Sequence, residues 1–130
     1  MATRSTIAKL NDDGSITSIY CHWDGYPEGV GKTLQKHYTD VDKIDQLLAL
    51  GWLSQLDVEI GEKHDFDNPT KGWTLAYMRD RGETGLEANT HDSINAWLSF
   101  REGNGCEYGY LWNDSRKEWD TFDMYATRED

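Results

Sequence analysis

The stretch that decides the fold is Thr3-Arg4-Ser5-Thr6-Ile7-Ala8-Lys9-Leu10-Asn11-Asp12-Asp13-Gly14-Ser15-Ile16-Thr17-Ser18-Ile19-Tyr20-Cys21-His22-Trp23. Thr and Ile recur on both sides of Asn11-Asp12-Asp13-Gly14, residue types suited to the positive or bridge dihedrals of a tight turn. The pattern predicts a β-hairpin, Thr3 to Leu10 against Ser15 to Trp23. Side chains alternate across a strand. Thr17, Ile19, Cys21 and Trp23 therefore share one face of the second strand, and Ile16, Ser18, Tyr20 and His22 the other.

Downstream, Asp24 to Gly31 contains three glycines and Pro27 and reads as a loop. Val30, Leu34 and Tyr38 fall on one stripe of a short helix around Lys32 to Tyr38. Thr39 or Asp40 can cap a second helix, in which Val41, Ile44, Leu47 and Leu48 recur at helical spacing before Gly51 ends it. Trp52 to Leu56 reads as an irregular turn, and Glu62 to Gly72, broken by Asn68-Pro69, as a surface loop. Trp73 to Arg79 is apolar or aromatic on both faces, which predicts a central strand, and Arg79 to Glu83 reads as exposed. Asp92 or Ser93 can start a third helix holding Ile94, Trp97, Leu98 and Arg101, stopped by Gly103-Asn104-Gly105. A closing hairpin follows, Cys106 to Trp112 and Lys117 to Tyr125, joined by Asn113 to Arg116. The order β-β-α-α-β-α-β-β predicts a single α+β domain spanning 1–130, with an antiparallel sheet of about five strands and helices packed on one face.

Composition narrows the function classes. Sixteen aromatic residues, six of them Trp, are too many for a disordered acidic chain, which lacks the apolar area to offset ordering entropy. No stretch approaches the roughly 20 consecutive apolar residues that cross a bilayer, and Met1 to Ser5 carries no apolar signal core. Neither membrane insertion nor standard secretion is expected. The formal charge is −11, and residues 39–130, with 20 acids against nine bases, carry all of it. Such a surface repels phosphate backbones, so duplex nucleic acid is an unsuitable partner and a basic protein surface a suitable one. Cys21 and Cys106 form no zinc pattern and are expected to be reduced and buried.

The densest segment for chemistry runs from Tyr20 to Thr33, in the order strand, glycine loop, helix. Gly31-Lys32-Thr33 resembles the end of a phosphate-binding loop, but that motif needs a glycine where this chain has Tyr26. The glycines are better explained by a sharp turn with Lys32 in solvent. His64 with Asp65 and Asp67 is the nearest approach to a metal site and lacks a second imidazole or thiolate, so no metal or cofactor is expected. No serine lies in a nucleophile elbow, and no catalytic residue is assigned. Tyr20, His22, Trp23, Asp24 and Tyr26 crowd seven positions around the loop and suit either ring stacking or a protein-interface anchor. Lys32, Arg79 and Arg81 are the basic residues placed to contact an anion.

Several of these pieces carry a resemblance. Thr3-Arg4-Ser5-Thr6-Ile7, Tyr20-Cys21-His22-Trp23-Asp24-Gly25-Tyr26-Pro27, Gly29-Val30-Gly31-Lys32 with Leu34, His37 and Tyr38, and Tyr77-Met78-Arg79-Asp80-Arg81-Gly82-Glu83 resemble a group of small proteins encoded by bacteriophages and prophages. The similarity is densest over the first forty residues. It implies a bacterial cytoplasm and an accessory phage role, and it transfers no active site.

The expectation is a non-enzymatic phage-type binding protein. It would block a host defence protein by placing its acidic region in a basic groove, anchored by the aromatics from Tyr20 to Tyr26. A second reading is a sponge for a nucleotide signal held by Trp23, Tyr26, Lys32, Arg79 and Arg81. A third is a small enzyme using His22 and Asp24. The sequence leaves a homo-oligomer open.

Overall fold

The computed structural model of the chain describes residues 3–103 and 105–123, with the side chains of 101–103 outside the description. The opening hairpin forms as the pattern requires. β1 (Ser5–Leu10) and β2 (Ile16–Cys21) pair antiparallel with Ile7 opposite Ile19 and Leu10 opposite Ile16. The turn closes through Asn11 N–H to the Ser15 carbonyl at 2.8 Å, and Gly14 supplies its positive φ of 90°.

The rest of the sheet is built around this hairpin and is mixed, which corrects the expectation of an antiparallel sheet of about five strands. Among the described residues seven strands take part. β6 (Tyr108–Asn113) joins the free edge of β1 in parallel, and β7 (Glu118–Asp123) pairs antiparallel beyond it. On the other side, β3 (Leu53–Gln55) runs parallel to the end of β2, and β4 (Leu75–Ala76) lies outside β3. A further strand, β5 (Asn89–His91), pairs with the start of β2. Two strands, β3 and β5, come from segments without strand periodicity. A three-residue strand is held by its neighbour's N–H and C=O groups, and these leave no pattern in its own side chains. The last hairpin was expected to reach Tyr125; positions 124–125 lie outside the described residues, as does Asn104 of the predicted helix stop.

Trp73 to Arg79 is the largest departure. Instead of a central strand it gives the two-residue edge strand β4 followed by a helix, α3 (Tyr77–Arg81), that Gly82 closes at φ 74°. The Asp80 carboxylate accepts the Ala76 N–H at 2.8 Å, so a buried side chain replaces the strand partner this backbone would have had. For the same reason Arg79 to Glu83 is not uniformly exposed.

α1 (Lys32–His37) follows a π-helical turn over Pro27–Gly31, where a plain loop was expected. α2 (Val41–Ala49) is capped by Asp40, which accepts the Asp42 N–H at 3.0 Å, and α4 spans Ile94–Gly103. These helices lie on both faces of the sheet, not on one. Ile7, Ile19, Cys21, Tyr110 and Trp112 pack with Leu34 of α1 and with Ile44, Leu47 and Leu48 of α2. The alternate residues Ala8, Ile16 and Leu111 pack with Trp97 of α4. The parallel pairing of β1 with β6 explains this arrangement: the chain must cross the sheet between β5 and β6, and α4 is that crossover.

One buried polar atom is orphaned. Ser5 is fully buried beneath Gly25, and its hydroxyl has no hydrogen-bond partner among the described residues. Ser5→Ala removes a desolvated hydroxyl without breaking a bond, so unfolding in urea should show stability unchanged or raised by up to ~1 kcal/mol. A loss above that would mean the hydroxyl is satisfied after all.

Candidate functional site

β2 carries the sequence-predicted aromatics to the end of the sheet. Tyr20 pairs across from Thr6 and so projects on the α4 face, beyond the area that Trp97 covers. Its hydroxyl lies 2.7 Å from His22 Nδ1, and the His22 ring meets the edge of Trp23 at 4.7 Å between centroids. A fourth ring comes from a residue that sequence reasoning missed: Trp52, just before β3, stacks at a tilt against Tyr20 at 5.1 Å. Trp52 Nε1–H donates to Asn89 Oδ1 at 3.3 Å, which fixes the indole against β5. Tyr20, His22 and Trp52 are half-buried, and Trp23 is 44% exposed. Together they form a ledge of rings, not a cleft.

Arg4 borders this ledge. It lies one residue beyond the last hairpin pair, Ser5 with Cys21, and alternation puts it on the same face as Tyr20. Burial, and then the Arg4 charge, lower the His22 pKa. The Tyr20 phenol is pushed up to about 12 by burial, against the opposing pull of Arg4. The hairpin register alone could have located Arg4. Nothing in the sequence announces Trp52, because its neighbour Tyr20 is 32 positions away.

The glycine loop is filled by its own backbone. Asp24 takes a left-handed φ of 58°, and its carbonyl accepts the Val30 N–H at 2.9 Å. A Cβ at Gly29 would lie 2.3 Å from that carbonyl, so the glycine is required by close approach. Gly25 donates its N–H to the Thr3 carbonyl at 2.8 Å and accepts the Tyr110 hydroxyl at 2.7 Å. The Gly29 and Lys32 N–H groups go to carbonyls within the turn. Tyr26, 39% exposed, reaches Asp24 Oδ1 at 3.4 Å, and Lys32 is exposed. No hydrogen bond joins His22 to Asp24 among the described residues; each has a tyrosine hydroxyl instead.

The two arginines expected to contact an anion are engaged internally. Arg79 donates to the Ile60 carbonyl at 2.9 Å, the Thr74 carbonyl at 2.7 Å and Asp80 Oδ1 at 2.9 Å. Arg81 lies over the Phe66 and Tyr77 rings, at 4.6 and 4.8 Å, and pairs with Glu83. His64, set beside Asp65 and Asp67 in sequence, turns away from them. Its Nδ1 accepts the Thr70 N–H at 2.8 Å, and its Nε2 faces the Thr74 carbonyl at 3.1 Å. The imidazole pins the 62–72 loop. Burial pushes the Cys21 thiol up to about 12, and its Sγ lies 3.7 Å from the Trp23 carbonyl, so it is no activated nucleophile.

The acidic residues gather elsewhere. Asp40 and Asp42 at the start of α2 border an open depression of about 370 Å³ together with Glu59. Lys43 lies in the same wall but turns inward: its Nζ donates to the His37 and Val58 carbonyls at 2.8 and 2.9 Å and sits 4.3 Å from the centre of the Tyr38 ring. Backbone oxygens take up the lysine's hydrogen bonds, leaving these three carboxylates without an ion-pair partner among the described residues. This ridge belongs to the α2 side, whereas Tyr20 and His22 belong to the α4 side. The tertiary structure therefore separates two features that sequence order had placed in one interface. No helix among the described residues is long and apolar enough to cross a membrane. No family model, curated protein or solved structure matches the chain.

Proposed function

We propose that this chain is a non-catalytic binding protein whose acidic ridge engages a basic protein surface. The observation that carries the reading is the inward turn of Lys43, which leaves Asp40, Asp42 and Glu59 uncompensated on one side of a chain of net charge −11. Uncompensated charge of one sign steers and orients a partner of the other sign. The sequence resemblance to phage-encoded proteins supplies the biological setting, which makes a host nuclease or other nucleic-acid-handling defence factor the target class. The protein would block its groove by occupying it.

Titration against purified nucleases with basic grooves, at increasing salt, tests this. Affinity and inhibition should fall steeply with ionic strength, and the triple variant D40K/D42K/E59K should bind at least about tenfold more weakly at low salt. Binding that ignores both salt and charge reversal would overturn the reading. Of the basic residues named for the sponge reading, Arg79 donates to the Ile60 and Thr74 carbonyls, while Arg81 pairs with Glu83 at the surface and Lys32 is exposed.

A further inference from the structure

The ring ledge has a chemistry of its own, distinct from that of the three carboxylates beside α2. Its polar tips are used within the ledge: the Tyr20 hydroxyl by His22 Nδ1 and the Trp52 N–H by Asn89. What remains on offer is ring area from Trp23, Trp52 and Tyr20, together with two donors. One is the Arg4 guanidinium, which is exposed and has no hydrogen bond or ion pair among the described residues. The other is His22. Its Nδ1 faces the Tyr20 hydroxyl, and its Nε2 has no partner among the described residues; in the tautomer that carries the proton on Nε2, that edge of the ring is a donor. Exposed Lys32, Lys36, Lys63 and Lys71 also lack an ion pair among the described residues; what sets Arg4 apart is its place on the same face of the hairpin as Tyr20, next to the rings.

We infer that the ledge formed by Arg4, Tyr20, His22, Trp23 and Trp52 is a binding site for a free nucleotide. A base has a flat face to stack on the indoles, and a phosphate has acceptor oxygens for the guanidinium and the imidazole N–H. Neither a purely apolar peptide nor a cationic one uses both halves of the site; the first leaves Arg4 unmatched and the second meets it as a like charge. A free nucleotide fits better than a nucleic-acid strand. A strand would bring further phosphates against a molecule of charge −11, whereas one phosphate is matched locally by Arg4. The site shares Tyr20, His22 and Trp23 with the set singled out from sequence, but its cation is Arg4 in place of Lys32, Arg79 and Arg81.

The test is tryptophan fluorescence and calorimetry on the full chain with adenosine and guanosine 5′-monophosphates, their 3′,5′-cyclic forms, the parent nucleosides, inorganic phosphate and a short single-stranded oligonucleotide. At least one nucleotide should quench the indole emission and release heat. Its parent nucleoside should bind about tenfold more weakly, because the phosphate contact is a charge-assisted one. Arg4→Ala alters an exposed side chain and should weaken nucleotide binding by about tenfold or more, with Arg4→Lys recovering part of it. Trp52→Leu removes a stacking surface and should weaken nucleotide binding about tenfold by calorimetry. No heat with any nucleotide at millimolar concentration, binding unaffected by Arg4→Ala, or tighter binding of the oligonucleotide than of every free nucleotide would each overturn the inference. The basic-partner titration at D40K/D42K/E59K is independent of all these results, so failure of one proposal is distinguishable from failure of the other.

Discussion

Asp80→Ala should cost about 3–5 kcal/mol of folding stability, enough to bring a domain of ordinary stability close to unfolding. The Asp80 side chain is fully buried and gathers four donors. Oδ1 accepts the Arg79 Nε–H and the His64 N–H, and Oδ2 accepts the Ala76 N–H and an Arg79 Nη–H. Removing the carboxylate leaves a guanidinium, largely buried, without its counter-charge and two backbone N–H groups without acceptors. Burial alone would raise the Asp80 pKa, but the hydrogen bonds from Arg79, Ala76 and His64 outweigh it and hold the carboxyl below its usual 3.8. The sign follows from linkage. A carboxyl whose pKa folding lowers stabilises the native state above the unfolded value near 3.8, and that contribution fades as pH falls through the folded value. The gap between the parent and Asp80→Asn should therefore be full at pH 6 and shrink below about pH 4. Urea titrations across that range measure it; an Asp80→Asn gap that widens toward acid would contradict the assignment.

Trp97→Ala should have an effect of the same size on the other face, about 3–5 kcal/mol. Trp97 is completely buried, packs with Ala8, Ile16 and Leu111, and meets Phe122 edge-on at 5.4 Å. Its Nε1–H donates to Thr6 Oγ1 at 3.2 Å, while that hydroxyl donates to the Ile19 carbonyl at 3.0 Å. Truncation opens a cavity between α4 and the sheet and removes the large contact that seats the crossover helix. Trp97→Phe keeps most of the apolar volume and loses the hydrogen bond, so about 1–2 kcal/mol is expected. Hydrogen exchange locates the damage: amides of α4 should lose protection in Trp97→Ala while those of α2 keep theirs until global unfolding. Equal loss in both helices would show that the two faces open together.

The candidate sites show where legibility ended. Tyr20, His22 and Trp23 were visible because strand alternation and local crowding are properties of adjacent residues. Lys32, Arg79 and Arg81 stand out in the sequence as basic residues in an otherwise acidic chain. For two of them the structure adds contacts with groups distant in sequence, the Ile60 carbonyl for Arg79 and the Phe66 ring for Arg81. The sequence also puts the acidic region and the aromatics from Tyr20 to Tyr26 in one interface, yet strand alternation in a sheet with helices on both faces turns Tyr20 to the α4 face, away from α2.

What the sequence determined by itself is local. The opening hairpin, the capped helix from Val41, the helix from Ile94 and the last hairpin all follow from turn residues, caps and a single hydrophobic period, each read over a few neighbours. The tertiary structure alone decided the parallel joining of β1 to β6, the short strands β3 and β5, and the helix α3 in place of the expected strand over 77–79. Those choices depend on hydrogen-bond partners and buried charges supplied by distant segments. The energy of such pairings is settled only when the chain closes on itself.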